Sequence, residues 1–577
     1  MEECESKIKD VFVSFFKECG PQTIDTLYKN HGPYNPKTSI ACCYMKCIVA
    51  VSCWNEEAIK ESYSYVKETH NMLLKLQLEH QMFGTPVEKL VLKVLTAEAL
   101  LLIAVMKMAV KRCIKHYLKA GMNLRKSWKI LAATQLKIVE LCENAGINST
   151  KLDDLIAEEC DEECDSTTKD TSRPYPAEDN FLQSFDLVED FQSFFDSKDT
   201  CVPAIKDLKQ LKVMSLFGYG LFHLILSLIP PTVLRVVNLL GFHGNRYLGL
   251  TSLRTVSKSS PNFRSTLASV TLLWYHVSLR PTFISNSQLL VSGINQGEKI
   301  IDQTLGPELR DTWITLYFSG TMTKLQGNVE GALELFQAAA VKAAHLRECK
   351  LMAYYEIGWC QLIIWNWTQA SEIFLDLMAE ARWSKGFYGY LAAISMGASG
   401  GSVAACRAIL AGLPGRIKKT VNIELDTYCS RKSEMLASSK NLEYECKLAT
   451  LEIIYVWKCL TLSEAQAEEL IQAVDNRPQQ LSPSCLAVSY LLAGLSWKTL
   501  HNPHKAEQAF KISDTITQPD QRDNYITVCV LSEMAELYHQ LGQAENSILM
   551  AERARTGYKG YHLENRLYNR VHNLDIS

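Results

Sequence analysis

Residues 316–336, LYFSGTMTKLQGNVEGALELF, decide the fold of this chain. Apolar residues recur at helical spacing on both sides of Gly327-Asn328, a pair suited to a tight turn. Gly320 stands twelve residues before Ala332, and Ala332 stands four before Phe336. Two antiparallel helices that cross closely accept only a small residue at the contact, and a large ring fills the gap behind it. The stretch therefore reads as a helix pair, and its spacing can be searched for elsewhere.

The same register recurs twice in full. Gly358, Ala370 and Phe374 repeat both separations, and Gly494, Ala506 and Phe510 repeat them again. Leu316, Tyr354 and Tyr490 each stand four residues before the glycine, and His501-Asn502 supplies a turn in the later copy. Two further copies are looser: Ala393, Ala405 and Ile409 keep the spacing, while Ala535, Tyr538, Gly542 and Ala554 keep most of the pattern, with Ser547 and Ala551 in place of the usual small and large residues. Small residues at the eighth and twentieth places and a large one at the twenty-fourth are the pattern of the 34-residue tetratricopeptide helix pair. The fold class is therefore all-α: a tetratricopeptide-type helical-repeat superhelix with an α-helical N-terminal region. Units are expected near 313–346, 351–384, 386–415, 487–518 and 528–560, with an interruption between Ala405 and Gly494. The closing GYHLENRLYNRVHNLDI is read as a polar capping helix, because no further repeat covers that end.

Working outward, residues 203–577 form the solenoid and residues 1–147 a helical, repeat-like region. In the latter, Val91, Leu95, Leu102 and Met106, with Leu92, Ala99 and Ile103, mark a thickly apolar central helix. Between them, 148–202 differs in kind. Asp153 to Asp196 holds 15 acids against Lys169 and Arg173, so the chain's net charge of -3 conceals an acidic stretch in an otherwise basic chain. Such a composition buries too little apolar surface to offset chain entropy, and a disordered linker is expected. Within it, Phe181, Phe185, Val188 and Phe195 approximate one face of a short amphipathic helix.

Several segments, once the repeats are placed, resemble the tetratricopeptide repeat protein 39 family. Gly121-Met122-Asn123-Leu124-Arg125-Lys126-Ser127-Trp128-Lys129-Ile130 is similar to the family's glycine-then-LRKAWKIY segment. Phe217-Gly218-Tyr219-Gly220-Leu221-Phe222-His223, followed by Leu228-Ile229-Pro230-Pro231, resembles its glycine–phenylalanine helix ending in two prolines. Leu239-Leu240-Gly241-Phe242-His243-Gly244-Asn245-Arg246 resembles its LLGF turn. Tyr355-Glu356-Ile357-Gly358-Trp359-Cys360 and Glu564-Asn565-Arg566-Leu567 most resemble the C-type members. The acidic linker and the Cys42-Cys43 region depart from the pattern. The resemblance implies a cytoplasmic, all-helical repeat protein without catalytic residues, some of whose relatives are tied to lipid handling or protein clearance.

The sequence offers little chemistry. Cys42, Cys43 and Cys47 bunch together without ligands at zinc spacing, Cys160 and Cys164 sit in the acidic stretch, and His501 and His504 lack a third ligand. The glycines of Gly397–Ser402 lack the Lys-Ser/Thr of a phosphate-binding loop, and no nucleophile elbow or HExxH helix occurs. No catalytic residue, metal or cofactor is expected. No dense basic cluster with interleaved aromatics suggests nucleic acid. The N-terminus, MEECESKIKD, lacks the apolar core of a signal peptide, and the 19 cysteines are odd in number; a cytoplasmic chain with free thiols is expected. Leu216–Ile229 falls short of the roughly 20 apolar residues of a membrane span.

Binding is the remaining expectation, with a protein or peptide segment as partner. The concave groove of such repeats is lined by the second, fifth, ninth and twelfth positions of the first helix in each pair. The register assigns Tyr317, Thr321 and Lys324; Tyr355, Trp359 and Leu362; Leu491, Leu495 and Lys498; and Glu536 to that groove. Repeats that clamp chaperone C-termini use Lys at the fifth and Asn at the ninth position; the residues here argue against that mode. Tyr355 and Trp359 are the expected anchors for an apolar segment. The groove could equally be filled by the N-terminal helices or by the Phe181–Phe195 segment. The leading function is a scaffold or adaptor. One alternative is a peripheral membrane or lipid-droplet protein that touches lipid through Leu216–Leu240 without spanning the membrane. Another is a scaffold in cilium assembly or transport, to which no residue points.

Overall fold

The computed structural model describes residues 2–17, 21–31, 35–53, 56–110, 114–144, 204–228, 244–282, 287–305, 307–381, 384–416 and 423–572. The acidic linker with its Phe181–Phe195 helix, Pro230-Pro231, Leu239–His243 and the last part of the Leu216–Leu240 stretch lie outside the described residues. Among the described residues every regular element is helical, and no strand occurs.

The chain forms two compact units, residues 1–275 with 297–315 and residues 276–296 with 316–577. The first contains α1 (Glu2–Lys17), α2 (Pro21–His31), α3 (Pro36–Cys53), α4 (Glu56–Phe83), α5 (Pro86–Val110), α6 (Ile114–Asn144), α7 (Ile205–Ser227), α8 (Arg246–Ser257) and α9 (Phe263–Trp274). α5 starts at a proline behind a reciprocal cap in which Thr85 and Glu88 bond each other's backbone N–H. It is enclosed by α3, α4, α6 and α7. That enclosure explains why its sequence is apolar on several sides: Val94, Leu95, Ala97, Ala99, Leu101 and Ala104 are all fully buried. One acid interrupts the run. Glu98 is wholly buried and receives both arms of Arg264 from α9 at 2.9 Å each. α7 buries Leu211, Phe217, Phe222 and Leu224, and crosses α8 where Gly220 and Gly249 meet. A β-carbon on Gly249 would lie 2.7 Å from the Leu224 backbone nitrogen, so the backbones approach only because both residues are glycine.

The second unit follows α10 (Ser287–Lys299) with a series of antiparallel pairs. These are α11 (Trp313–Leu325) with α12 (Val329–Lys342), α13 (Arg347–Ile363) with α14 (Trp367–Glu380), and α15 (Lys385–Ala398) with α16 (Val403–Arg416). After α17 (Ile423–Ala437) come α18 (Leu442–Val456) with α19 (Glu464–Asp475), α20 (Pro483–Thr499) with α21 (Pro503–Thr515), and α22 (Tyr525–Gln540) with α23 (Ala544–Thr556). α24 (Glu564–His572) is the last described helix.

Packing explains the Gly–Ala–Phe spacing directly. A β-carbon on Gly320 would sit 2.9 Å from the Phe336 ring, one on Gly358 2.8 Å from Phe374, and one on Gly494 closer still to Phe510. Ala332, Ala370 and Ala506 and all three rings are fully buried. In the last pair Ser547 keeps the small place by donating its hydroxyl to the Ala535 carbonyl at 2.8 Å, and Ala551 is buried beside it.

The α15–α16 pair departs from the expected register. Ala405 is exposed and Ile409 half-exposed, whereas Cys406 and Leu410 are the buried residues. The connection from Ala398 to Val403 carries one residue more than the one from Leu325 to Val329, which rotates the second helix by one position.

The turn inside each pair is the same. Gly327, Trp365, Gly400, Lys458, His501 and Gly542 all take positive φ, between 53° and 88°. The residue after each donates its N–H five residues back, as Asn328 does to Thr323, Asn366 to Gln361 and Asn502 to Trp497, closing the helix end. Lys458 belongs to a pair inside the expected interruption. There the connection from Val456 to Glu464 is longer, and the Ser463–Gln466 capping box restarts the helix.

Candidate functional site

The residues assigned to the groove fall on the first helices of the pairs, and each is buried or half-buried. At α11, Tyr317 is half-buried and donates its hydroxyl to Glu356 at 3.4 Å, while Thr321 bonds back to the Tyr317 carbonyl at 2.9 Å. Lys324 pairs with the same Glu356. Burial alone would lower the Lys324 pKa, but Glu356 beside it raises it above the ordinary lysine value.

α13 contributes Tyr355, half-buried and edge-on to Trp359 at 6.2 Å. Trp359 is only 3% exposed. It stacks on Trp457 at 5.7 Å, and Trp457 in turn stacks on Phe387 at 5.3 Å. Leu362 is fully buried. Of the two expected anchors, Trp359 is therefore occupied by ring stacking within its own unit, and Tyr355 retains partial exposure.

At α20, Leu491 is buried and Leu495 half-buried. Lys498 reaches Glu533 at 2.6 Å and Glu536 at 3.5 Å. These pairs repeat with the fold. Lys324 and Lys498 hold the twelfth position of one helix, and Glu356 and Glu533 the sixth of α13 and α22. Both groove lysines thus have internal counterions. The periodicity marked the lysines as inward-facing, but the acids at the sixth position carried no signal.

Two further helices reach across to the first helices of several pairs. α17 lays Tyr428, fully buried, edge-on to Tyr390 of α15 and Tyr525 of α22, both at 5.9 Å. Its Lys432 is buried against Glu452 of α18 at 2.7 Å, and its Arg431 reaches Asp523 at 2.8 Å. α24 supplies Arg570, which donates to Glu533 at 2.6 Å and lies over the Tyr455 ring at 4.2 Å. Glu533 thereby accepts from Lys498, Arg570 and the Tyr455 hydroxyl, the last at 2.9 Å. Burial alone would raise its pKa, yet Lys498 and Arg570 hold the carboxyl below the ordinary glutamate value.

The space between α17, α18 and α20, bounded by Lys432, Glu445, Glu452 and Cys485, holds about 10 Å³, on the scale of one water. Among the described residues no three His, Cys, Asp or Glu side chains converge as a metal site. Cys42, Cys43 and Cys47 are buried, and burial pushes the Cys47 thiol up to about 12. No described helix is long and apolar enough to cross a membrane. Leu216–Leu228 turns most of its side chains into the packing of α7 against α5, α6 and α8.

A sequence profile of the Iml2/Tetratricopeptide repeat protein 39 family matches residues 34–500. Among solved structures, one described as the crystal structure of Ypp1 aligns over 95% of this chain and 83% of its own, at 10% identity and a TM-score of 0.25. The crystal structure of the APC/C hetero-tetramer Cut9-Hcn1 aligns over 98% of this chain and 95% of its own, at 12% identity and a TM-score of 0.17.

Proposed function

The chain belongs to the Iml2/Tetratricopeptide repeat protein 39 family, and from that premise we propose that it is a non-catalytic scaffold holding a protein segment against the inner side of its repeat helices. The observation that carries this reading is the half-buried ring pair at α11 and α13. Tyr317 and Tyr355, which the register assigns to the groove on two consecutive first helices, are both only partly buried, and both lie beside Glu356. Half-buried tyrosines suit a peptide contact, since the ring supplies apolar area and the hydroxyl a hydrogen bond.

Capture from cytosol tests it. Tyr355→Ala with Tyr317→Ala should lose a subset of the proteins held by the wild-type chain, measured below the melting temperature of the variant, which both lost ring contacts lower. An unchanged partner list on a folded variant would overturn the reading. Trp359→Ala is the wrong probe, because removing a ring stacked on Trp457 opens a cavity and lowers stability by about 3–5 kcal/mol whatever the groove binds. The lipid-surface alternative has less to stand on. The described part of its contact stretch, Leu216–Leu228, spends most of its apolar residues inside the first unit.

A further inference from the structure

α24, expected to cap the solenoid, packs against α22 and α23 and reaches back to α17 and α18. Leu567 and Val571, one turn apart, are buried to 1% exposure each. Arg566 and Arg570, also one turn apart, reach over aromatic rings: Arg566 lies 3.8 Å from the Trp457 ring centre and Arg570 4.2 Å from Tyr455. Arg570 also donates to Glu533 at 2.6 Å. The backbone N–H and side-chain amide of Asn565 donate to the two carboxylate oxygens of Glu424, at 3.0 Å each. Arg566, Asn565 and Tyr568 nonetheless keep exposed surface.

This helix is nine residues long, too short to be stable in isolation. Its order comes from the seat, and every group of the seat belongs to another element: Glu424 to α17, Tyr455 to α18, Trp457 to the turn after it, and Glu533 to α22. The seat is acidic and aromatic, and what it grips is a planar cation. Guanidinium stacks on indole and phenol faces while its edge donates to a carboxylate; an ammonium does only one of these well.

We infer that the seat of α24 is a helix-binding site that α24 occupies in cis, and that its partner is an amphipathic helix carrying arginines one turn apart, each followed by an aliphatic residue, as in Arg566-Leu567 and Arg570-Val571. This rests on the scaffold reading and adds to it the class of segment held and the device that guards the site. A ligand competing with a tethered helix sees only the fraction of molecules in which the seat is empty. At this seat, displacement of α24 governs binding.

The test uses the full chain and a fluorescent peptide of residues Gly560–His572. Anisotropy should show weak binding to the wild-type protein and binding tighter by about tenfold or more to Arg566→Ala/Arg570→Ala, in which α24 no longer competes. A peptide with both arginines changed to lysine should bind the variant about tenfold more weakly. Equal affinity for wild type and variant, or for the arginine and lysine peptides, overturns the inference. Should loss of Arg570 unfold the unit by leaving Glu533 under-compensated, Asn565→Ala/Arg566→Ala keeps that ion pair, and the same comparison decides. The peptide assay needs no cellular partner. Its failure removes the α24 seat alone, and loss of capture at Tyr317 and Tyr355 is judged separately.

Discussion

A β-carbon on Gly494 would enter the Phe510 ring, whereas one on Gly412 of α16 would meet only the far end of Arg416, at 3.9 Å. Helix propensity favours alanine over glycine at both places by about 1 kcal/mol. Sterics reverse the sign at Gly494, where overpacking costs about 1–3 kcal/mol. Gly494→Ala should therefore lower the urea midpoint and Gly412→Ala should raise it, and a same-sign result would refute the crossing. The Lys498–Glu533 pair makes a second case at this scale. Lys498→Met should cost on the order of 2 kcal/mol, less than a lone buried pair because Arg570 still faces Glu533. A carboxyl held below its unfolded value stabilises the fold above that value, near 4.3, and this contribution is lost as pH falls through the folded value. Acidification from about pH 5 to pH 3 should thus lower the melting temperature of wild type more steeply than that of Lys498→Met.

Among the elements, the six intra-pair turns place a residue at positive φ, and three of them use Trp365, Lys458 and His501 where glycine is unstrained. His501 is exposed, so His501→Gly removes strain without removing packing and should stabilise by about 1 kcal/mol, read as a rise in melting temperature. Gly542→Ala should do the opposite by a similar amount. These turns also explain what the sequence revealed and what it hid. The pairs at Gly320, Gly358 and Gly494 were legible because a crossing that admits no β-carbon writes itself as a glycine at fixed distance from a ring. The α18–α19 pair was not, since Lys458 gives no turn signal and the longer connection breaks the spacing. Nor were the roles of α17 and α24. An amphipathic helix that reaches across its own repeats has the same pattern as one that caps or packs outside, and Tyr428 or Arg570 acquires its meaning only from the side chains opposite.

For the whole molecule, the division into two compact units has a thermodynamic consequence. Each has its own buried ion pair, Glu98 with Arg264 in the first and Lys432 with Glu452 in the second, and none of the four side chains exceeds 8% exposure. Removing one partner strands the other charge, which costs about 3–5 kcal/mol in whichever cooperative unit contains it. Glu98 was invisible as a candidate because a single acid in an apolar helix has no spacing to betray it; its partner lies 166 residues away. If the units are separate cooperative bodies, each with its own core, calorimetry of the full chain should resolve two transitions. Glu98→Gln should then lower one and leave the other where it was. Glu452→Gln should move the second alone, and the double variant should show both shifts with no coupling beyond about 0.5 kcal/mol. A single transition displaced by either substitution would mean that the chain unfolds as one body, and the energetics of the α24 seat would then have to be sought across the whole chain.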